Sequence, residues 1–243
     1  MASADFYGAD LAGVHAAAFE GLAQAAGRAL LGGLSVREGR VLDLGCGAGA
    51  LSRLVADAGL SPWGVDVSAA MLEIARRRVP EGEFVQGSVF EVEPPQAIAA
   101  CAVGEVVNYL TADADDPARL GALFARLHAA LRPGGLLLFD AAAPGRAGGG
   151  GRAFTEAADW AVGAISEEDG QGVLTRRITS FRRLDDGRWR RAHEIHRLRL
   201  WPTAMVMAQL QAAGFAAETM AAYGDLRLPA GLVAYAARKP ERS

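Results

Sequence analysis

Two cysteines, Cys46 and Cys101, are too few for a disulfide framework, so a reduced, cytoplasmic protein is the expectation. Lysine is scarcer still: Lys239 is the only one, and nearly all positive charge is arginine. With a net charge of −3 there is no basic excess of the kind nucleic acid selects, and no nucleic-acid partner is expected. No apolar run approaches the roughly 18–20 residues needed to cross a bilayer. The N-terminus lacks the basic head and apolar core of a signal peptide, so no membrane partner is expected either. Internal repeats are lacking, and the glycine-rich stretch 145–151, the only low-complexity segment, reads as a mobile connection. What remains is the balance of a globular chain, with 51% hydrophobic and 22% charged residues, and 243 residues suit one α/β domain carrying an insertion.

Leu11, Val14, Ala18, Leu22, Ala25 and Ala29 recur at three- and four-residue steps, which predicts one amphipathic helix over 10–31. The run 41–44 reads as a strand, 45–49 as a tight glycine turn and 50–58 as a helix. A second strand over 62–66 leads to a helix capped by Ser68 and running to Arg78. Third and fourth strands are expected at 83–86 and 98–103. Asp116-Pro117 supplies an N-cap and first-turn proline for a helix to about Leu131, and 136–140 is an apolar fifth strand. Short apolar strands alternating with helices imply a parallel sheet covered on both faces. The rhythm then changes to three antiparallel strands, about 160–166, 173–184 and 188–200, with Asp186-Gly187 as a hairpin turn. A helix from Thr203 to near Gly214 and two strands, 215–222 and 231–238, close the chain.

Glycines in Asp43-Leu44-Gly45-Cys46-Gly47-Ala48-Gly49 let backbone approach a ligand where a side chain would collide. The loop lies at the carboxyl end of the first strand, where open α/β sheets bind ligands. Asp66, ending the second strand, can accept hydrogen bonds from two ribose hydroxyls. On these residues alone three readings stand. Gly45, Gly47 and Ala50 also fit a dinucleotide pattern, and a turn without a ligand is the third possibility.

The string Val41-Leu42-Asp43-Leu44-Gly45-Cys46-Gly47-Ala48-Gly49 resembles the first motif of class I S-adenosylmethionine-dependent methyltransferases. Gly64-Val65-Asp66-Val67-Ser68 is similar to their ribose-binding second strand, Leu131-Arg132-Pro133-Gly134-Gly135 to the turn before their fifth strand, and the ending through Gly214-Phe215 to their reversed hairpin. The resemblance covers roughly 36–140 and 203–239. It implies a doubly wound α/β, Rossmann-like, seven-stranded sheet with a C-terminal reversed β-hairpin. The whole is one methyltransferase domain over 1–243: a lid helix in 1–35, a core of 36–145 and 202–243, and an inserted antiparallel three-stranded cap at 146–201. It also implies S-adenosyl-L-methionine as donor and S-adenosyl-L-homocysteine as product. Gly45, Cys46 and Gly47 would lie against the methionine portion, with Asp43 holding the loop and amino group and Asp66 the ribose. Val67 or Met71 would pack on adenine, beside Gly87, Ser88 and Val89; the family often has an acid where Ser88 stands. Val103 and Gly104 after the fourth strand, and Tyr7 with Phe6 and His15 from the lid, complete the donor set. An NAD(P)-dependent oxidoreductase and a non-catalytic S-adenosylmethionine-binding protein are the alternatives.

Gly104-Glu105-Val106-Val107-Asn108-Tyr109 resembles a stretch found in a subgroup of bacterial small-molecule methyltransferases. Glu105, Asn108, Tyr109 and His193 are therefore the candidate catalytic residues for a small-molecule acceptor, with Glu105 and His193 as bases if the acceptor keeps a proton. Alternatively Tyr109 packs under the sheet and Glu105 caps a short helix. His193-Glu194-Ile195-His196 is not a metal motif, because on a strand the two imidazoles point to opposite faces. Strand alternation is expected to turn Trp189, His193 and Ile195 inward and Arg188, Arg190 and Glu194 outward. The cap would then select the acceptor without serving the donor. The nine arginines from Arg176 to Arg199 read as mostly a solvated face.

Overall fold

A computed structural model describes residues 6–36, 38–110, 117–148 and 151–241. Asp116, expected as an N-cap, and Gly149 and Gly150 of the glycine-rich stretch lie outside the described residues. From the N-terminus, α1 (Ala9–Ala18) and α2 (Gly21–Gly32) precede β1 (Arg40–Leu44), α3 (Ala50–Asp57), β2 (Ser61–Asp66), α4 (Ala69–Arg78), β3 (Glu83–Gln86) and β4 (Ala97–Ala102). A 3₁₀ turn at Val106–Asn108 follows, then α5 (Pro117–Ala130) and β5 (Leu131–Ala142). Next come β6 (Gly151–Glu156), β7 (Trp160–Glu168), β8 (Val173–Arg183) and β9 (Trp189–Arg199). The chain ends with α6 (Thr203–Ala212), β10 (Ala216–Met220), β11 (Ala222–Tyr223), β12 (Leu226–Arg227) and β13 (Leu232–Arg238).

The main sheet has seven strands in the order β10-β13-β5-β4-β1-β2-β3. β1 pairs in parallel with both β2 and β4, so the winding reverses there, and a crevice opens at their carboxyl ends. β13 runs antiparallel to β5 and β10, which is the reversed hairpin. Alternation along the strands splits the core between two faces. Leu42, Leu137 and Phe139 pack with Leu123, Phe124 and Leu210 of α5 and α6. Val41, Leu136 and Leu138 pack with Leu30, Leu51 and Val55 of α2 and α3. None of the described helices is long and apolar enough to cross a membrane.

Three expectations about the elements are corrected. The single helix over 10–31 is two, broken at Phe19–Glu20, because its halves bury different faces: Leu11 and Val14 pack on Val162 and Ile178, while Ala25, Ala26 and Leu30 pack on the main sheet. β5 begins at Leu131, and the proline–glycine turn survives inside it as a shift of register against β4. The inserted sheet has four strands rather than three, in the order β6-β7-β8-β9. β6 carries no alternation of burial to betray it; beyond Gly151 its residues are all exposed, and main-chain pairing with β7 holds it.

Candidate functional site

The crevice beyond β1, β2 and β4 opens into a cavity. Its floor is the glycine loop. Gly45 N and Cys46 N donate to Val65 O at 2.7 and 3.0 Å, which draws the loop across the end of β2. Gly45 has φ +68, and a Cβ there would stand 2.4 Å from Val106 Cγ2, so no side chain fits. Gly47 has φ +52, but its open side faces the cavity: an added Cβ would meet only Met71 Sδ, at 4.0 Å.

Asp66 lines the same cavity. Its Oδ2 accepts from Gly47 N at 2.9 Å and its Oδ1 from Ser68 N at 2.8 Å; burial raises its pKa against these bonds. Val67 and Met71 continue this wall, facing Gly87, Ser88 and Val89. Ser68 caps α4, as its place in the sequence suggested, by accepting from Met71 N at 3.2 Å. Val103, Gly104 and Tyr109 form the side toward β4, and Phe6, Tyr7 and His15 close it from the N-terminal segment. Tyr7 and Tyr109 hydroxyls are 3.0 Å apart, and burial raises both pKa values. Burial, helped by His196, lowers His15 to about 4, leaving its imidazole neutral at pH 7.

Two of the expected donor residues are not in the cavity wall. Asp43 is buried behind the loop, where its Oδ2 accepts from Ser52 Oγ at 2.6 Å and so ties β1 to α3 across the turn. Burial, only partly offset by Ser52, raises Asp43 to about 6. Cys46 also points away, buried with its thiol directed to Gly47 O at 3.8 Å; burial pushes its pKa up.

The acceptor side is corrected more deeply. Glu105 is 5% exposed and bonded to Arg146 Nε at 2.5 Å and Arg176 Nη1 at 2.9 Å. Burial works to raise its pKa, but the two guanidinium groups outweigh burial and hold it below the usual range, so it is an anchor rather than a base. Its φ of +64 is set by Asp140, whose carboxylate accepts from the Gly104 and Glu105 N–H groups. Asn108 is wholly buried, and its amide is spent on Ala142 N, Ala142 O and Arg199 O. It clamps β5 to β9 and offers no free group to an acceptor.

β9 is reversed relative to expectation. Trp189 and Ile195 are 50% and 61% exposed, and His193 is exposed with Nδ1 at 2.9 Å from Thr179 Oγ1. The inward positions are Glu194, His196 and Leu198, which pair with the inward Ile178, Arg176 and Leu174 of β8. His193 therefore has no place near the cavity. As expected of strand parity, the two imidazoles lie on opposite faces, His193 exposed and His196 buried. Glu194, His196, Arg146, Arg176 and Asp140 are not among the candidate site residues read from the sequence, and it is the register of β9 on β8 that turns the first two inward.

Comparison with known proteins gives the following. A family model described as a methyltransferase domain matches residues 41–135. A trans-aconitate 2-methyltransferase of Paracidovorax citrulli is 42% identical over 101 residues, 40% of this chain and 36% of that protein. A malonyl-[acyl-carrier protein] O-methyltransferase of Serratia marcescens is 35% identical over 121 residues, 49% of this chain and 45% of that protein. The chain thus spans less than half the length of these two relatives. The structure of an S-adenosylmethionine-bound amino pentose methyltransferase from Micromonospora echinaspora superimposes with a TM-score of 0.73, covering 93% of this chain and 96% of that one. At 23% identity, this last likeness shows the fold alone.

Proposed function

We propose that this chain, whose residues 41–135 match a methyltransferase domain, is a class I S-adenosylmethionine-dependent methyltransferase that transfers the donor's methyl group to a nucleophilic nitrogen, oxygen or carbon of a small-molecule acceptor. The observation that carries the proposal is the pairing of Gly47 with Asp66. A bare backbone surface opens into the cavity beside a carboxylate that accepts backbone N–H groups on both oxygens. It keeps acceptor capacity for ribose hydroxyls. Gly104, with φ +93 and no atom within 4 Å of an added Cβ, extends the bare surface toward β4. Met71, Val67 and Val89 supply the apolar walls that a purine needs. The residues present fit the donor.

Bound there, the donor supplies a methyl group on a positively charged sulfur, which leaves as a neutral thioether when the acceptor's electron pair displaces it. The chain's part is to orient the two reactants and exclude water. Neutral His15 adds no charge opposing a cationic donor, and Tyr7 and Tyr109 set their paired hydroxyls in the wall toward the acceptor. Glu105 is held between two arginines, so its carboxylate is not free to take an acceptor's proton. The named relatives act on trans-aconitate, a carrier-bound malonyl group and an amino pentose, so acceptor identity does not follow from kinship. In this chain the four-stranded sheet lies outside residues 41–135 and is where the acceptor would be chosen.

The test is incubation with methyl-labelled donor and a metabolite extract. Label in a low-mass product is the expected result. Binding of S-adenosylhomocysteine without any transfer would favour the non-catalytic reading, and tight binding of NADH instead would favour the oxidoreductase.

A further inference from the structure

We propose that Glu194, on the inserted sheet, is a positioning residue for the donor, holding Tyr7 and Gly8 as the wall over the donor cavity. The inference rests on the donor reading above. Tyr7 is one of two non-glycine residues with positive φ among the described residues, at +53, a conformation that its surroundings must impose. They do so from both sides. Tyr7 N and Gly8 N, consecutive on the chain, donate to Glu194 Oε2 and Oε1 at 2.8 and 3.0 Å. Successive N–H groups converging on one carboxylate form an anion-binding nest. Gly8 is also the N-cap of α1, so the carboxylate sits at the positive end of that helix.

On the other side, Tyr7 O accepts from Ser68 Oγ at 2.8 Å, and Ser68 N donates to Asp66 Oδ1 at 2.8 Å. Two residues, Ser68 and Tyr7, thus link the ribose-side carboxylate to Glu194 of the inserted sheet. Glu194 is itself held in place: its Oε2 lies 2.8 Å from Nε2 of His196, an imidazole only 1% exposed and packed by the rings of Phe6, Tyr7 and Tyr109. An ion pair between Asp10 and Arg190 adds a second tie from α1 to β9. The inserted sheet is therefore part of the donor's enclosure, not only of the acceptor's.

The experiment measures S-adenosylhomocysteine affinity by calorimetry, and amide exchange over residues 6–18 with and without that ligand. Parent, Glu194→Ala, Glu194→Gln and His193→Ala are compared. The parent should bind and slow exchange in this segment. Glu194→Ala should weaken binding by about 10–100-fold, the loss of bonds to a charged acceptor, and abolish the slowing. Glu194→Gln keeps one acceptor oxygen without the charge and should fall between. His193→Ala, on the outer face of the same strand, should match the parent. Affinity within twofold of the parent and unchanged slowing in Glu194→Ala would overturn the proposal while leaving the donor reading intact. If that variant does not fold, the same result in the shape-conserving Glu194→Gln overturns it equally. A parent that fails to bind the ligand would overturn the donor reading, and this inference with it.

Discussion

Asp66 and Gly47 meet through a single hydrogen bond, yet they answer different requirements. The carboxylate both shapes the loop and, on our reading, accepts from the donor's ribose. Asp66→Ala should therefore weaken S-adenosylhomocysteine binding by about 10–100-fold, the equivalent of roughly 1.5–3 kcal/mol, as calorimetry would show. An unchanged affinity would remove Asp66 from the donor site. For Gly47→Val, the added Cβ meets no protein atom closer than Met71 Sδ at 4.0 Å, so the protein should fold, less stable by about 1–3 kcal/mol for the strained φ. Donor binding should be lost because the side chain fills the ligand's space; retained binding in the folded variant would reduce the glycine to a turn former. Both residues were legible in the sequence because glycine spacing and a strand-ending acid are local features. Asp43 and Cys46 look like ligand contacts in the sequence but lie buried outside the cavity wall, since whether a loop side chain points at a cavity or behind it depends on the strand beneath.

At the scale of elements, β9 shows how alternation marks a strand without saying which face is inside. Trp189 and Ile195 look like core residues, yet they sit on the solvent face. The inner face instead holds Glu194 and His196, because backbone N–H groups of the N-terminal segment bond the Glu194 carboxylate, which in turn bonds His196 Nε2. Glu105 makes the same point for the loop after β4, which reaches the inserted sheet through Arg176 of β8. Glu105→Ala leaves two largely buried guanidinium groups without their shared partner and should destabilise the protein by about 3–5 kcal/mol. Urea unfolding would measure this. A catalytic base at this position would instead lose turnover with stability unchanged. The break between α1 and α2 was hidden for a related reason: one apolar stripe runs through both helices, although each half packs on a different sheet.

For the molecule as a whole, the buried carboxyl of Asp43 makes stability depend on pH. Its pKa is raised from 3.8 to about 6, so the folded state binds this proton more tightly than the unfolded chain does. Stability from this group is greatest below about pH 4 and is lost as pH climbs through about 6. Roughly two units at 1.36 kcal/mol each make about 3 kcal/mol. Asp43→Asn keeps an oxygen for Ser52 Oγ and cannot ionise. Relative to the parent it should gain up to about 3 kcal/mol in urea unfolding between about pH 4 and pH 7, and a constant difference across that range would show that Asp43 ionises freely. The sequence by itself determined the alternation of strands and helices, the parallel core, the reversed ending and the loop that marks the donor side, because each is written in neighbouring residues through propensity, turn chemistry and period. Only the tertiary structure decided the fourth strand of the inserted sheet, the inward face of β9, the enclosure of Tyr7 by Ser68 and Glu194, and the conversion of Glu105 into an anchor. Those outcomes depend on partners far apart in the chain: Tyr7 and Glu194 are 187 residues apart and Glu105 and Arg176 71. No local pattern encodes which backbone group or charge will arrive to satisfy a buried side chain.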